Sequence, residues 1–382
     1  MSPGKPDVAL VRCDSYDRGL VEESVGRTFE LLGGVGAVVG EGESVFVKVN
    51  ALLPVGPERA ATTHPEVVRA VIRQIQTVTG DITIGDSPGG PFNRAFLKRV
   101  YEKAGFADVA AETGASLGFD TSVVEVALPG GAARKSIALC RAMVDADRLI
   151  SVSKFKTHVF MRLTGAIKNV FGVVPGMTKF TYHSTFHQDT DFADLLVDVL
   201  LAVSPDLHLV DAVWGMEGDG AVWGDPRKIG VVAAGRDAFA LDTLLADLVD
   251  LDPRVNLPLD AAVRRGLCSG DPGGINVTGD DPGALKVYGF RLPTKKSAIV
   301  LLPAFFMRRY STLMSLRPYP VRGRCTACGK CAEICPGGAI RMKEGIAVVD
   351  HRHCINCFCC HELCEHDGIE LKLPPLARLL TR

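Results

Sequence analysis

The chain alternates between short apolar runs and longer amphipathic stretches. The runs Val8–Cys13, Val45–Val49, Ile82–Gly85, Leu149–Ser153, Leu207–Asp211 and Ile229–Ala234 are rich in Val and Ile and lack polar alternation. Such runs suit strands covered on both faces, as in a parallel sheet. Between them, Pro65–Thr79 sets Val68, Ile72 and Ile75 at helical spacing, with Pro65 in the first turn; Phe92–Ala104, Phe192–Val203 and Asp237–Val249 behave likewise. This alternation predicts an α/β domain over residues 1–290, a mostly parallel sheet flanked by helices and joined by right-handed crossovers. Residues 252–282, rich in Pro, Gly and Asp, read as a surface loop closing that domain. Residues 291–320 read as a connector, 321–370 as a small C-terminal α+β module, and 371–382 as a tail.

Composition narrows the picture. With 47% hydrophobic and 23% charged residues among 382, the chain can bury a sizeable core and is not a disordered protein. Lys and Arg number 43 against 44 Asp and Glu, so no positive excess exists to hold nucleic acid, and none is expected as a partner. The apolar run Ser297–Met307 is too short to span a bilayer, contains Pro303 and runs into Arg308 and Arg309. It is expected as a buried strand or helix, and no transmembrane segment is expected. The opening MSPGKPDVALVRC lacks a secretory pattern, so a cytoplasmic, reducing location is expected.

Nine of the twelve cysteines fall between Cys325 and Cys364, in two runs. The first is Cys325-x2-Cys328-x2-Cys331-x3-Cys335-Pro336 and the second Cys354-x2-Cys357-x2-Cys360-x3-Cys364. Thiolates are soft donors, and each [4Fe–4S] cluster takes four. In such runs the fourth cysteine serves the other cluster, which predicts two clusters: one on Cys325, Cys328, Cys331 and Cys364, the other on Cys354, Cys357, Cys360 and Cys335. Zinc also binds paired CxxC motifs but leaves this regular spacing unexplained. The module resembles a bacterial-type two-cluster ferredoxin domain. It departs in having Glu365 where proline follows the last cysteine, and an extra thiol, Cys359, taken as a non-ligand. Cys13, Cys140 and Cys268 read as core thiols.

In open parallel sheets, ligands bind beyond the carboxyl ends of the strands. There the sequence places Lys48 and Asn50; Asp86, Ser87, Gly89 and Gly90; Lys154, Lys156 and His158; and Asp211, with Glu217 and Asp219 further on. Any one could be a solvated strand end, but together they predict a polar cleft. Ser153–Gly176 is the densest stretch, and a helix over 163–171 would put Thr164 and Lys168 on one face, near Asn169. Cations, amides and hydroxyls in one place suit a carboxylate or phosphate. His183 and His187, with Asp189 and Asp191, could hold a metal but read more simply as a polar loop. GDSPGG (Gly85–Gly90) is neither a dinucleotide fingerprint nor a Walker loop.

The segments Lys48–Asn50, Thr63–Val71, Gly85–Gly90, Lys154–Gly176, Met216–Gly220 and Arg236–Asp242 resemble the motifs of the family called domain of unknown function 362. The resemblance implies an iron–sulfur protein with an α/β body, in a family whose members are often fused to a ferredoxin module. The expected function is a reductase passing electrons from two [4Fe–4S] clusters to an anionic small molecule in the cleft. Its expected catalytic groups are Lys48, Lys156 and the proton donor His158; its substrate-binding groups are Asn50, Asp86, Lys154, Lys168, Asn169 and Asp211. An external ferredoxin, flavodoxin or reductase would supply electrons. The alternative is an electron-transfer or redox-sensing partner protein without its own substrate.

Overall fold

A computed structural model describes residues 5–128, 130–186, 188–293 and 316–372. The run Ser297–Met307, most of the connector, His187 and residues 373–382 lie outside the described residues.

The α/β body is built on one mixed sheet, dominated by parallel strands and flanked by helices. Its strands are β1 (Asp7–Arg12), β2 (Val45–Lys48), β3 (Ile82–Gly85), β4 (Ser116–Leu117), β7 (Arg148–His158), β8 (Arg162–Thr164), β9 (Leu207–Glu217), β10 (Asp225–Gly235) and β11 (Asn276–Gly279). They run in the order β11-β1-β10-β9-β7-β2-β3-β4, with β8 paired to β7. The pairs β1–β11, β7–β9, β2–β7, β2–β3 and β3–β4 are parallel, while β10 lies antiparallel to both β1 and β9. Strands β5 (Val123–Ala127) and β6 (Ser136–Cys140) form a separate hairpin.

Side chains alternate between the sheet's two faces, and each face has its own apolar layer. On one, Ile150, Val152, Leu209 and Val232 pack with Val25 and Phe29 of α1 (Arg18–Leu31) and Ile72 of α2 (Pro65–Ile75). On the other, Leu149, Phe155, Val210 and Val231 pack with Phe192 of the helix Asp189–Val203 and Leu241 of the helix Ala238–Leu248.

Three expectations need correction. Strands β7 and β9 each run eleven residues, so Lys154, Lys156, His158 and Asp211 lie within strands rather than beyond them. Tertiary partners satisfy these polar groups inside the sheet, so they do not end it. The expected helix over 163–171 is instead β8, the short helix Ala166–Asn169 and a 3-10 turn at Val170–Val173, with Thr164 in the strand. The expected surface loop of 252–282 contains the helix Leu257–Arg264 and β11, which pairs along β1.

The C-terminal module has two strand pairs, β12 (Arg317–Pro320) with β15 (Ile369–Lys372) and β13 (Ile340–Lys343) with β14 (Ile346–Val349). Two one-turn helices, Lys330–Glu333 and Cys359–Glu362, complete it. The last residues assigned to the connector and the first of the tail are thus paired strands. Among the described residues, no helix is long and apolar enough to cross a membrane.

Candidate functional site

The carboxyl ends of β2 and β3 support a buried network. Lys48 Nζ lies 2.9 Å from Asp86 Oδ1 and donates to Val49 O at 2.7 Å and Asn169 Oδ1 at 2.9 Å. Asp86 also accepts from the backbone N–H groups of Ala51 (2.7 Å) and Ser87 (2.9 Å). Asn169 Oδ1 receives a further bond from Asn50 Nδ2 at 3.1 Å, and its own Nδ2 donates to Ser151 Oγ at 2.9 Å. Burial pushes the Lys48 ammonium below its ordinary range while Asp86 pulls it back.

Above this network is a cavity of about 70 Å³. Lys48, Asp86, Lys168 and Lys179 line it from the α/β body; Cys359, Glu362 and Leu363 line it from the C-terminal module. Lys179 is spoken for, donating to Ser87 O at 2.5 Å and to Val174 O, and burial brings it down to about 8. Lys168 is different. Its ammonium has no hydrogen bond or ion pair among the described residues, and it lies over the Phe171 ring, 5.9 Å from the centroid. Burial lowers its pKa, and Glu362 opposes the shift. Asn50 Oδ1 and His183 Nδ1 are buried on the same walls without hydrogen-bond partners among the described residues.

Glu362 reaches into the α/β body from the module's second helix. Burial raises its carboxyl to about 7, against the pull of Lys168 and Lys156. His158 Nε2 stands 3.2 Å from Glu362 Oε1, within ion-pair reach but off the line of a hydrogen bond. Its Nδ1 accepts from the backbone N–H groups of Phe160 (3.1 Å) and Met161 (3.2 Å), which leaves the ring proton on Nε2. Lys156 Nζ donates to Ala61 O at 2.5 Å, and burial, then the charge of Lys168, lowers it to about 7.

Lys154 and Asp211 belong to a second network. Lys154 Nζ donates to Asp211 Oδ2 at 3.0 Å and Tyr16 Oη at 2.5 Å, and Tyr16 Oη donates to Asp211 Oδ1 at 2.8 Å. The Tyr16 ring stacks on His64 with centroids 3.5 Å apart, and His64, mainly through burial, falls to about 4. The register between β7 and β9 jumps between Lys154, opposite Asp211, and Lys156, opposite Met216. That irregularity sends alternate lysines of one strand to different neighbours.

In the module, Cys325, Cys328, Cys331 and Cys364 line one cavity. Burial, then the neighbouring Cys364, Cys325 and Cys328, pushes the Cys331 thiol up to about 11. Cys360 is raised well above its ordinary value by burial and by Cys357, Cys354, Cys331 and Cys335. Thus Cys364, the last cysteine of the second run, stands with the first three of the first run, and Cys335 is near Cys354 and Cys360. Equivalent N–H···S bonds mark the two halves: Ala339 N to Cys335 Sγ at 3.2 Å and Gly368 N to Cys364 Sγ at 3.1 Å. Among the described residues, no group of three or more His, Cys, Asp or Glu could hold a single metal ion. The thiols surround space rather than converge on a point, which fits a cluster held at four corners. His183 is stacked on Phe192 at 4.3 Å, and burial takes it to about 3.

A sequence profile of the family described as Domain of unknown function (DUF362) matches residues 45–247. This chain belongs to the DUF362 family. A second profile, 4Fe-4S binding domain, matches residues 318–341, which contain the first cysteine run. The chain is 35% identical over 267 residues to Thylakoid-associated protein sll1697 of Synechocystis sp., covering 68% of this chain and 79% of that protein. It is 42% identical over 48 residues to one component of the ion-translocating oxidoreductase complex of Methanosarcina acetivorans, covering 13% of this chain and 18% of that protein. A solved structure, the lactate racemase apoprotein from Thermoanaerobacterium thermosaccharolyticum, aligns with a TM-score of 0.37 and 15% identity over 60% of this chain and 54% of that one. That likeness is too slight to bear on function. The ferredoxin-type domain of this DUF362 chain supports iron–sulfur binding and an electron-transfer role.

Of the residues singled out in the sequence, the cavity gathers Lys48, Asn50, Asp86, Lys168 and Asn169. Lys154, Lys156, His158 and Asp211 are not on its walls; Lys156 and His158 lie behind Glu362, and Lys154 with Asp211 forms the separate network. Sequence reasoning missed Lys179, Glu362 and the cavity position of Cys359, and it missed Tyr16 and His64 in the second network.

Proposed function

We propose that this protein is an iron–sulfur reductase that passes electrons to a small anionic molecule bound over Lys168. The observation that carries the reading is the Lys168 ammonium, without a hydrogen-bond or ion-pair partner among the described residues, on a cavity also lined by Cys359 and Glu362 of the cysteine module. Lys48, Lys168 and Lys179 on its walls outnumber Asp86 and Glu362, so the cavity favours an anion. Cys325, Cys328, Cys331 and Cys364 would hold one [4Fe–4S] cluster, and Cys354, Cys357, Cys360 and Cys335 a second. Bound clusters supply single electrons but no protons. In this reading Lys168 fixes the anion, and Lys48 and Asn50, both donating to Asn169 Oδ1, keep that wall in place. Glu362 holds a proton at the cavity wall, with His158 Nε2 3.2 Å from its carboxyl. An external ferredoxin, flavodoxin or reductase is the electron source.

The test uses anaerobically purified full-length protein reduced with dithionite and offered a panel of small carboxylates and phosphates. Oxidation of the reduced protein by one panel member is expected, with that member's affinity falling about 10- to 150-fold in Lys168→Met, as for the loss of a charged hydrogen bond. If no panel member reoxidises the protein, while a partner ferredoxin does so equally well with Lys168→Met, the protein is an electron carrier.

A further inference from the structure

The internal repeat of the cysteine module serves as its own control. Cys325, Cys328 and Cys331 of the first run correspond to Cys354, Cys357 and Cys360 of the second. The backbones correspond too: φ is +58° at Ala327 and +54° at Asn356, +77° at Gly329 and +61° at Phe358. A difference in exposure between corresponding residues therefore comes from what covers them, not from local conformation.

The second run is covered. Ile355, Cys357, Cys359 and Leu363 pack with Leu53, Ala61, Met216 and Val222 of the α/β body. Leu371 of β15 is partly buried against the apolar layer that contains Phe358. The first run is open. Cys325 and Cys331 pack on Ile340, Ala347 and Ile369 of the module itself. Cys328, the counterpart of buried Cys357, is the only exposed cysteine among the described residues. Met342, the counterpart of Leu371, is 38% exposed and lines the same recess as Cys328.

Charge divides the same way. From 316 to 344, six Lys and Arg stand against two Asp and Glu; from 345 to 372, two stand against five. Whatever charge the clusters add is the same in kind for both runs, so the side chains set the difference. Arg322 and Arg341 are exposed and make no ion pair among the described residues. Met and Arg are enriched where proteins meet, and unpaired cations steer an acidic partner without touching it, across about a Debye length of 10 Å.

We propose that the outside electron carrier is an acidic protein that docks on the open Cys328–Met342 face, steered by Arg322 and Arg341. This deepens the external electron source given under Proposed function and rests on that part of it alone. The buried half of the module faces the anion cavity, and the open half faces the carrier.

The experiment uses full-length, cluster-loaded protein, reduced with dithionite and mixed by stopped flow with ferric cytochrome b5, which is acidic, or ferric cytochrome c, which is basic. One electron leaves the protein, the haem Fe(III) becomes Fe(II), and haem absorption reports the rate. The cytochrome b5 rate should fall with added salt and the cytochrome c rate should rise. Arg322→Glu with Arg341→Glu should slow cytochrome b5 by about tenfold or more at low salt and remove its salt dependence. Met342→Asp should slow cytochrome b5 while leaving dithionite reduction unchanged. Arg352→Glu, on the other half of the module and 87% exposed, should leave the rate as it was. NMR titration of ¹⁵N-labelled cytochrome b5 with the oxidised protein reads the same losses as weaker binding, without electron transfer. A cytochrome b5 rate that rises with salt would overturn the acidic partner. Met342→Asp without effect, or Arg352→Glu as harmful as Arg322→Glu, would overturn the face. Neither result needs a cavity ligand, so a failure of the anion reading leaves this test intact, and a failure here leaves the anion reading standing.

Discussion

Gly172 stands in the 3-10 turn Val170–Val173, directly over the Lys48–Asp86 pair. A methyl group there would overlap Lys48 Nζ, Lys48 Cε and Asp86 Oδ1, closer than non-bonded atoms can approach. The pair is almost wholly buried, with side chains 1% and 3% exposed. Breaking a buried pair by removing one partner costs 3–5 kcal/mol; because here both partners are displaced but kept, about 3 kcal/mol is expected for Gly172→Ala. A purely conformational effect has the opposite sign: Gly→Ala where the backbone is compatible stabilises by ~0.4–1 kcal/mol. Urea unfolding of the anaerobic protein, followed by circular dichroism, separates the two. A double-mutant cycle sharpens it, because in an Asp86→Ala background the methyl group finds space and the penalty should shrink by about 1 kcal/mol or more. An alanine variant as stable as the parent, or strict additivity in the cycle, would refute the steric account.

Two further outcomes follow from the geometry. Iron analysis should find about eight irons per chain, about four in Cys328→Ser and about eight in Cys359→Ser; stoichiometric zinc without iron would overturn the ligand assignment. His208 is buried, and desolvation lowers it from 6.5 to about 4. The unfolded chain therefore takes up this proton first as the pH falls, so stability is fully present above pH 6.5 and lost down to about 4, by up to about 3 kcal/mol. His208→Gln should flatten that limb in pH-dependent unfolding; an unchanged acid limb would count against it.

Strand β3 was readable to the residue, because an Ile-rich run meets Asp86, Ser87 and Pro88 and stops. Strands β7 and β9 were not, because what lets Lys154 and Lys156 sit inside a sheet lies elsewhere in the chain: Asp211 and Tyr16 for one, Ala61 O for the other. The same reason split the expected cleft, since periodicity places side chains on a face but cannot foresee a register jump. Glu362 shows the limit most clearly. It follows Cys360 by two residues, as Glu333 follows Cys331, yet Glu333 is exposed and Glu362 is buried against two cationic neighbours, Lys156 and Lys168, and beside His158. An internal repeat predicts both positions equally; only the packing of one half against the α/β body tells them apart.

Strand β1 has a late neighbour on each edge. Val8 to Arg12 pair with Gly235 to Val231, and Asp7 to Leu10 with Asn276 to Gly279. On the ribosome, at ~5–20 residues per second, the first of those partners emerges roughly 10–45 s after β1 has left. Until then an apolar segment, Val8–Val11, has no sheet to join and is free to pair with other nascent chains. The middle of the sheet, β2, β3 and β7, can form from consecutive sequence, but β1 closes it from outside. An N-terminal fusion or a slow codon stretch before residue 230 therefore acts on how long this strand stays unpaired, with no change to any contact in the finished protein.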